Sequence, residues 1–182
     1  MELLNLDFIR LKADTDLSAF SFCCGDDDLN EFLFDDSKSY LVAHLAMTYL
    51  FCKENAIVAY FSLSNDILKH KQGFFGSRSA YKDFKKKKMG LTHNLYGHEL
   101  PSMKIGRLAI CKDFQRKGVG AQLLDFIKST IYKQRFAGCR LITVDAYNQA
   151  VPFYEKNQFT QLISDNKDAP TKTMYFDLNS LE

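Results

Sequence analysis

Two compact apolar runs, KIGRLAI at 104–110 and RLITVDA at 140–146, bracket a glycine-punctuated basic turn, FQRKGVGAQLL at 114–124, and the segment that follows it. Within that segment Val119, Leu123, Leu124, Ile127 and Ile131 recur at helical spacing, which predicts a helix over about 118–135 with Gly138 marking its exit. Each flanking run is short, rich in branched residues and bounded by turn signals, so each reads as a strand. Strand, crossover helix and strand form a right-handed unit whose two strands lie parallel, and this constrains the rest of the chain. The turn itself falls where an anion is held most readily. The first N–H groups of a helix lack intrahelical partners, and the aligned peptide dipoles add positive charge there. Gly118 and Gly120 let the backbone approach a ligand closely, and Arg116 and Lys117 add charge at the rim. A glycine-rich turn with a solvated basic face fits the same residues, so the surrounding sequence has to decide.

Elsewhere the pattern is mixed. LLNLDFIRLK (3–12) alternates and predicts an opening strand. The aspartates at 26–28 can cap a helix in which Leu29, Phe32, Leu33, Tyr40 and Leu41 form the apolar face. LAMTYLFCK (45–53) and AIVAYFSLS (56–64), joined by Glu54 and Asn55, predict an antiparallel hairpin. After the second strand of the crossover, YNQAVPFYEKNQF predicts a short helix, and FTQLIS with TKTMYFDL predicts a closing hairpin across 165–170. The polar, basic stretch 65–100 gives no clear element.

One domain spanning 1–182 is expected at this length. No run approaches the ~18 apolar residues of a membrane span, and MELLNLDFIR is unlike a secretory leader, so the expected location is cytoplasmic with no membrane partner. Five cysteines without a C-x-x-C pair, and four histidines without HExxH spacing, predict neither a disulfide framework nor a metal site.

The net charge of +2 conceals a segregation. Residues 1–66 carry 4 basic and 12 acidic groups, 67–140 carry 17 and 4, and 141–182 carry 3 and 6. A polyanionic ligand, nucleotide or nucleic acid, would be drawn to the middle segment. The lysine run KDFKKKK at 82–88 is also what a solvated loop looks like.

Among phosphate-binding turns, a Walker loop would need Lys-Ser or Lys-Thr after Gly120, where Ala121 and Gln122 stand. A dinucleotide fingerprint would need glycine at Leu123. The run Gln115-Arg116-Lys117-Gly118-Val119-Gly120 instead resembles the Q/R-x-x-G-x-G/A loop of the GNAT superfamily of N-acetyltransferases. RLAI before it and VDAYNQAVPFYEKNQF after it resemble that family's central strand and its strand–helix signature. The resemblance spans about residues 100–160. It implies an α/β (α+β) fold with a mixed, strongly twisted sheet of about six to seven strands flanked by helices on both faces, and acetyl-CoA held where the two parallel strands splay. It further implies that the pantetheine arm pairs with the backbone of Leu108, Ala109 and Ile110, and that the diphosphate sits on the N–H groups from Gln115 to Ala121.

The same resemblance assigns chemistry. Tyr154, in the FYE signature, would protonate the departing thiolate, and the Ile110 N–H would stabilise the oxyanion. Asn148 is placed either to hydrogen-bond CoA or to cap the short helix. No general base is visible: where family members often carry Glu early in the central strand, this chain has Lys104, and Glu99, His98 and Asp113 do not match that place. A lysine amine is neutral in only about one part in a few thousand at pH 7, an α-amine in roughly a tenth, so an acceptor amine of low pKa is favoured. Cys111 ends the strand, where packing explains it better than nucleophilic chemistry. FSFCCGDDDLNEFL also resembles the start of a GNAT subgroup, toxins that acetylate the amino group of aminoacyl-tRNA. Three functions are therefore carried forward: transfer to an unidentified amine acceptor, transfer to aminoacyl-tRNA with tRNA and an antitoxin as partners, and a non-catalytic CoA-binding module. A homodimer is compatible with each.

Overall fold

A computed structural model describes residues 2–69, 77–83, 99–134, 137–162 and 169–181. The histidines at 70, 93 and 98 and the lysines at 85–88 lie outside the described residues. Strands β1 (Asp7–Arg10), β2 (Met47–Lys53), β3 (Ala56–Lys69), β4 (Glu99–Ile110), β5 (Leu141–Tyr147), β6 (Thr160–Gln161) and β7 (Thr171–Asp177) form a seven-stranded mixed sheet in the order β1-β2-β3-β4-β5-β7-β6. The helices are α1 (Asp27–Glu31), α2 (Ser37–Val42), α3 (Arg78–Asp83), α4 (Val119–Gln134) and α5 (Val151–Lys156). The chain divides into two compact units, residues 1–65 with 105–130 and residues 66–104 with 131–182.

In the first unit, β1 and β2 pair antiparallel, as do β2 and β3 across the Glu54–Asn55 turn. The opening strand is shorter than its alternation suggests, because Leu3–Asn5 forms a 3-10 turn that buries Leu3. Leu11, Leu17, Phe32, Leu33, Leu50, Ile57 and Tyr60 make the core, each nearly sealed from water. Burial of such side chains stabilises by about 1.5–3 kcal/mol apiece. The helix expected after the aspartates is present, and Asp26 caps it by accepting from the Leu29 N–H at 3.2 Å. It is not regular, however: Phe32–Asp36 winds as a π-turn between α1 and α2. The extra residue keeps Phe32 and Leu33 buried while the Ser37 hydroxyl donates back to the Leu33 carbonyl at 2.5 Å.

In the second unit, β4 and β5 run parallel, as the crossover required, with Ser102, Met103 and Lys104 opposite Leu141, Ile142 and Thr143. β5 then pairs along its whole length with antiparallel β7, which also carries the two-residue β6. β4 begins at Glu99, five residues before the apolar run that announced it, and the Ser102 hydroxyl there bonds the Leu68 N–H and the Leu100 carbonyl. α4, which lies in the first unit up to residue 130, has the anticipated apolar stripe buried from Val119 to Ile131.

Candidate active site

The glycine turn is built by what precedes it. β4 ends at Ile110, where the Cys111 N–H donates to Val58 O at 2.9 Å, and a single 3-10 turn over Lys112–Phe114 redirects the chain. The turn then enters left-handed backbone twice, at Arg116 (φ 59°) and Gly118 (φ 80°), before α4 starts at Val119. Glycine suits the second position, since positive φ strains side chains with a Cβ. Arginine at the first is strained backbone.

That path leaves the main chain unusually open. Among the described residues, no N–H from 116 to 121 makes a well-formed hydrogen bond to a carbonyl or a side chain; the first helical bond belongs to Gln122, which donates to Gly118 O at 3.2 Å. Among the described residues, its chain neighbours aside, nothing lies within 4 Å of where a Gly118 Cβ would stand. Arg116, Lys117 and Gly118 are exposed, and Val119 anchors the helix start with 1% of its surface exposed. Lys117 bends back to donate to Asp113 O at 2.7 Å and lies over the Phe114 ring, which keeps its charge beside the turn. Successive free N–H groups, a helix N-terminus and a gap where glycine leaves no side chain fit a diphosphate.

Gln115 departs from the expectation that its amide would join this cradle. Its N–H is used within the protein, donating to Lys112 O at 3.3 Å. Its carboxamide Nε2 instead donates to Cys24 O at 2.7 Å and to Ile110 O at 2.9 Å. The amide run starts at Arg116. Leu108, Ala109 and Ile110 occupy the last positions of β4, beyond the ladder with β5; Ala109 is buried, and Leu108 and Ile110 are half-buried.

The second unit holds the other two residues singled out from the sequence. Asn148 opens a 3-10 turn over Asn148–Ala150 and is exposed, with its side-chain amide donating to Ala169 O at 3.3 Å. It does not cap a helix: Tyr147 holds the cap position of that turn and no side chain accepts there. Tyr154 sits on α5 with 6% of its surface exposed, its ring edge-on to Phe153 and Phe159. No hydrogen bond of its hydroxyl is found among the described residues. Burial pushes the phenol up to about 12.

Two features escaped the sequence. Lys104 is bound to Asp145, 2.5 Å away, and Asp145 also accepts from Thr173 at 2.8 Å. Burial opposes the charge of Asp145, but the hydrogen bonds from Lys104 and Thr173 outweigh it and hold the carboxyl below its ordinary range. An aspartate inside an otherwise buried strand was the available signal. In the first unit Arg107 lies over Phe32 at 5.0 Å and 3.6 Å from Asp28, fastening the acidic helix start to β4. Among the described residues no three His, Cys, Asp or Glu side chains gather as a metal site, and no helix is long and apolar enough to cross a membrane.

Residues 83–170 match the family model described as an acetyltransferase (GNAT) domain. Solved structures share the fold over nearly the full length of the chain. AtaT complexed with acetyl-methionyl-tRNAfMet is 23% identical with a TM-score of 0.75, covering 97% of each chain. AtaTR bound with acetyl-CoA is also 23% identical with a TM-score of 0.74, covering 97% of this chain and 95% of that one. A KacT variant with one tyrosine changed to phenylalanine is 21% identical with a TM-score of 0.74, covering 97% and 96%.

Proposed function

We propose that this chain is a GNAT-type N-acetyltransferase that takes its acetyl group from acetyl-CoA and delivers it to the α-amino group of an aminoacyl-tRNA. The observation that carries the cofactor is the run of unpaired amides from 116 to 121, together with the open space at Gly118. Those groups fit the diphosphate, and the backbone of Leu108 to Ile110 would hold the pantetheine arm. Bound there, acetyl-CoA supplies the activated acyl group.

The acceptor is argued from the β4 position where a base is expected. At the β4 position where family members often carry a base, Lys104 is engaged with Asp145, whose own carboxyl is occupied by Lys104 and Thr173. An amine that is already neutral in quantity needs no such base, and the α-amine of an aminoacyl ester is of that kind. The excess of basic over acidic residues in 67–140, 17 against 4, supports a polyanionic acceptor. The fold shared with AtaT and the F-x-C-G start support the same reading, and an antitoxin partner belongs with it.

In the proposed reaction the neutral amine attacks the thioester carbonyl and a C–N bond forms. The oxyanion is met by the Ile110 N–H, the C–S bond breaks, and Tyr154 gives its proton to the leaving thiolate. The ammonium proton passes to solvent and the phenolate is reprotonated. Tyr154 is fully protonated at neutral pH, which suits a donor.

The test is a thiol-release assay with acetyl-CoA and three acceptors: an aminoacyl-tRNA, the free amino acid and a lysine peptide. Turnover on the aminoacyl-tRNA, with the acetyl group on the α-nitrogen by mass spectrometry, is the expected result. Turnover on the lysine peptide alone overturns the acceptor. Tight CoA binding without turnover on any of the three identifies a non-catalytic module instead.

A further inference from the structure

The stretch FSFCCG, at 20–25, stood out in the sequence as a start signature, and the function above gives it no role. The structure ties this stretch to the glycine turn at three consecutive residues. The Lys112 N–H donates to Cys23 O at 2.9 Å. The Gln115 carboxamide donates to Cys24 O at 2.7 Å. At Gly25 the backbone is left-handed, with φ 89°, which favours glycine, and the Lys112 side chain crosses so close that a Cβ, 2.4 Å from its Cε, would make that flexible chain swing aside. The segment is itself held in place. Ser21 bonds Asn55 and Ile57 through its backbone, and the Cys24 N–H donates to the Asn30 side chain at 3.0 Å.

We propose that residues 23–25 are a clamp for the diphosphate turn and that Gln115 is a positioning residue: its carboxamide, bonded to Cys24 O and Ile110 O, fixes the amides from 116 to 121 in the order a diphosphate requires. Gln115 is the pivot because the next residue, Arg116, enters left-handed backbone and the following amides turn outward. Both N–H bonds of its Nε2 are spent on the protein, at 2.7 and 2.9 Å, so that group acts on the ligand only through the backbone it holds. The carboxamide bridges the end of β4 and the entry to α1, and Gly25 and Lys112 close the same contact from the other side. Residues far apart in sequence thus share the work of keeping unpaired amides convergent, which the turn alone, with two positive φ angles and few internal bonds, would not do.

This inference rests on the acetyl-CoA reading, and the experiment separates the two. Affinity for coenzyme A is measured by calorimetry, and affinity for pantetheine, which lacks the diphosphate, by ligand-detected NMR. The full-length protein is compared with Gln115→Ala, Gln115→Arg and Gly25→Ala, with melting temperature as a control. Gln115→Ala lowers the ratio of coenzyme A to pantetheine affinity by about fivefold to tenfold, the size expected for losing one half-buried and one exposed hydrogen bond. Gln115→Arg, which retains N–H donors, restores most of the ratio, and Gly25→Ala lowers it in the same direction. A general loosening of the fold would weaken both ligands together and leave the ratio unchanged, and that result overturns the clamp. If Gln115→Ala fails to fold, Gly25→Ala decides by the same ratio. Wild-type protein that binds coenzyme A no better than pantetheine contradicts the diphosphate reading itself.

Discussion

The glycine turn of the first unit and the tyrosine helix of the second are opposite kinds of candidate site. The turn consists of main-chain donors without a well-formed hydrogen bond, largely exposed and held in strained backbone by contacts behind them. Tyr154 is a side chain packed against Phe153 and Phe159, with its ring buried and its pKa pushed up by that burial. Function in the turn depends on geometry and hardly on which residues flank it. Function at Tyr154 would depend on one oxygen atom. Substitutions should separate the two: changes to the turn act on cofactor affinity, and changes to the phenol act on turnover.

The largest effect is expected in the turn. Gly118→Glu should abolish coenzyme A binding by calorimetry, a loss of more than about 100-fold, because it places charge and bulk against the diphosphate and also strains a φ of 80°. Since no described residue other than its chain neighbours lies within 4 Å of that position, the variant should still fold, and Gly118→Ala should keep binding while losing about 1–2 kcal/mol of stability from backbone strain alone. Equal loss of binding in both variants would mean that the turn's conformation, and not its ligand face, is at fault.

Tyr154→Phe comes next. Turnover should fall by about 10²- to 10³-fold, the usual contribution of a placed acid, with coenzyme A affinity within about twofold of wild type. Its melting temperature should not drop, because the hydroxyl makes no hydrogen bond among the described residues. A destabilised variant with unchanged turnover would reduce Tyr154 to packing.

The pH dependence of turnover is a subtler probe. A phenol raised to about 12 stays protonated through the measurable range, so no falling limb from Tyr154 should appear below about pH 10, and the rising limb should report the acceptor amine. Stability follows the same sign. The raised pKa favours the folded, protonated phenol below its ordinary value near 10, and that contribution is lost as pH climbs from there through about 12. An alkaline limb that vanishes in Tyr154→Phe would contradict this.

The smallest effect concerns Asp145. Its depressed pKa gives stability that is present above the ordinary carboxylate value and lost as pH falls through the lower folded value. With 39% of that side chain exposed, Asp145→Asn should cost under about 1 kcal/mol at neutral pH and flatten only the acid end of a denaturation series.

The same contrast explains what could be read in advance. The parallel pairing of β4 and β5, the buried stripe of α4 and the glycine turn follow from periodicity and from the φ freedom of particular residues, and all are local in sequence. The part of Gln115 in clamping Cys24, the ion pair of Lys104 with Asp145 and the seat of Arg107 on Phe32 join residues distant in sequence, whose meeting no local pattern encodes. Asn148 shows the limit from the other side. A residue type suited to capping stands beside a helix, but the cap position of the turn falls one residue earlier, at Tyr147, and the Asn148 side-chain amide donates to Ala169 O instead. The π-turn at Phe32–Asp36 likewise left the apolar spacing close enough to helical to be missed.

The most direct measurement is a coenzyme A titration followed through backbone amide resonances of the labelled protein. The account predicts that the signals of residues 116 to 121 move together, shift downfield as they gain an anionic acceptor, and become slow to exchange with solvent at saturation. Signals from 116 to 121 that stay where they were while coenzyme A is fully bound would place the diphosphate elsewhere and contradict the account.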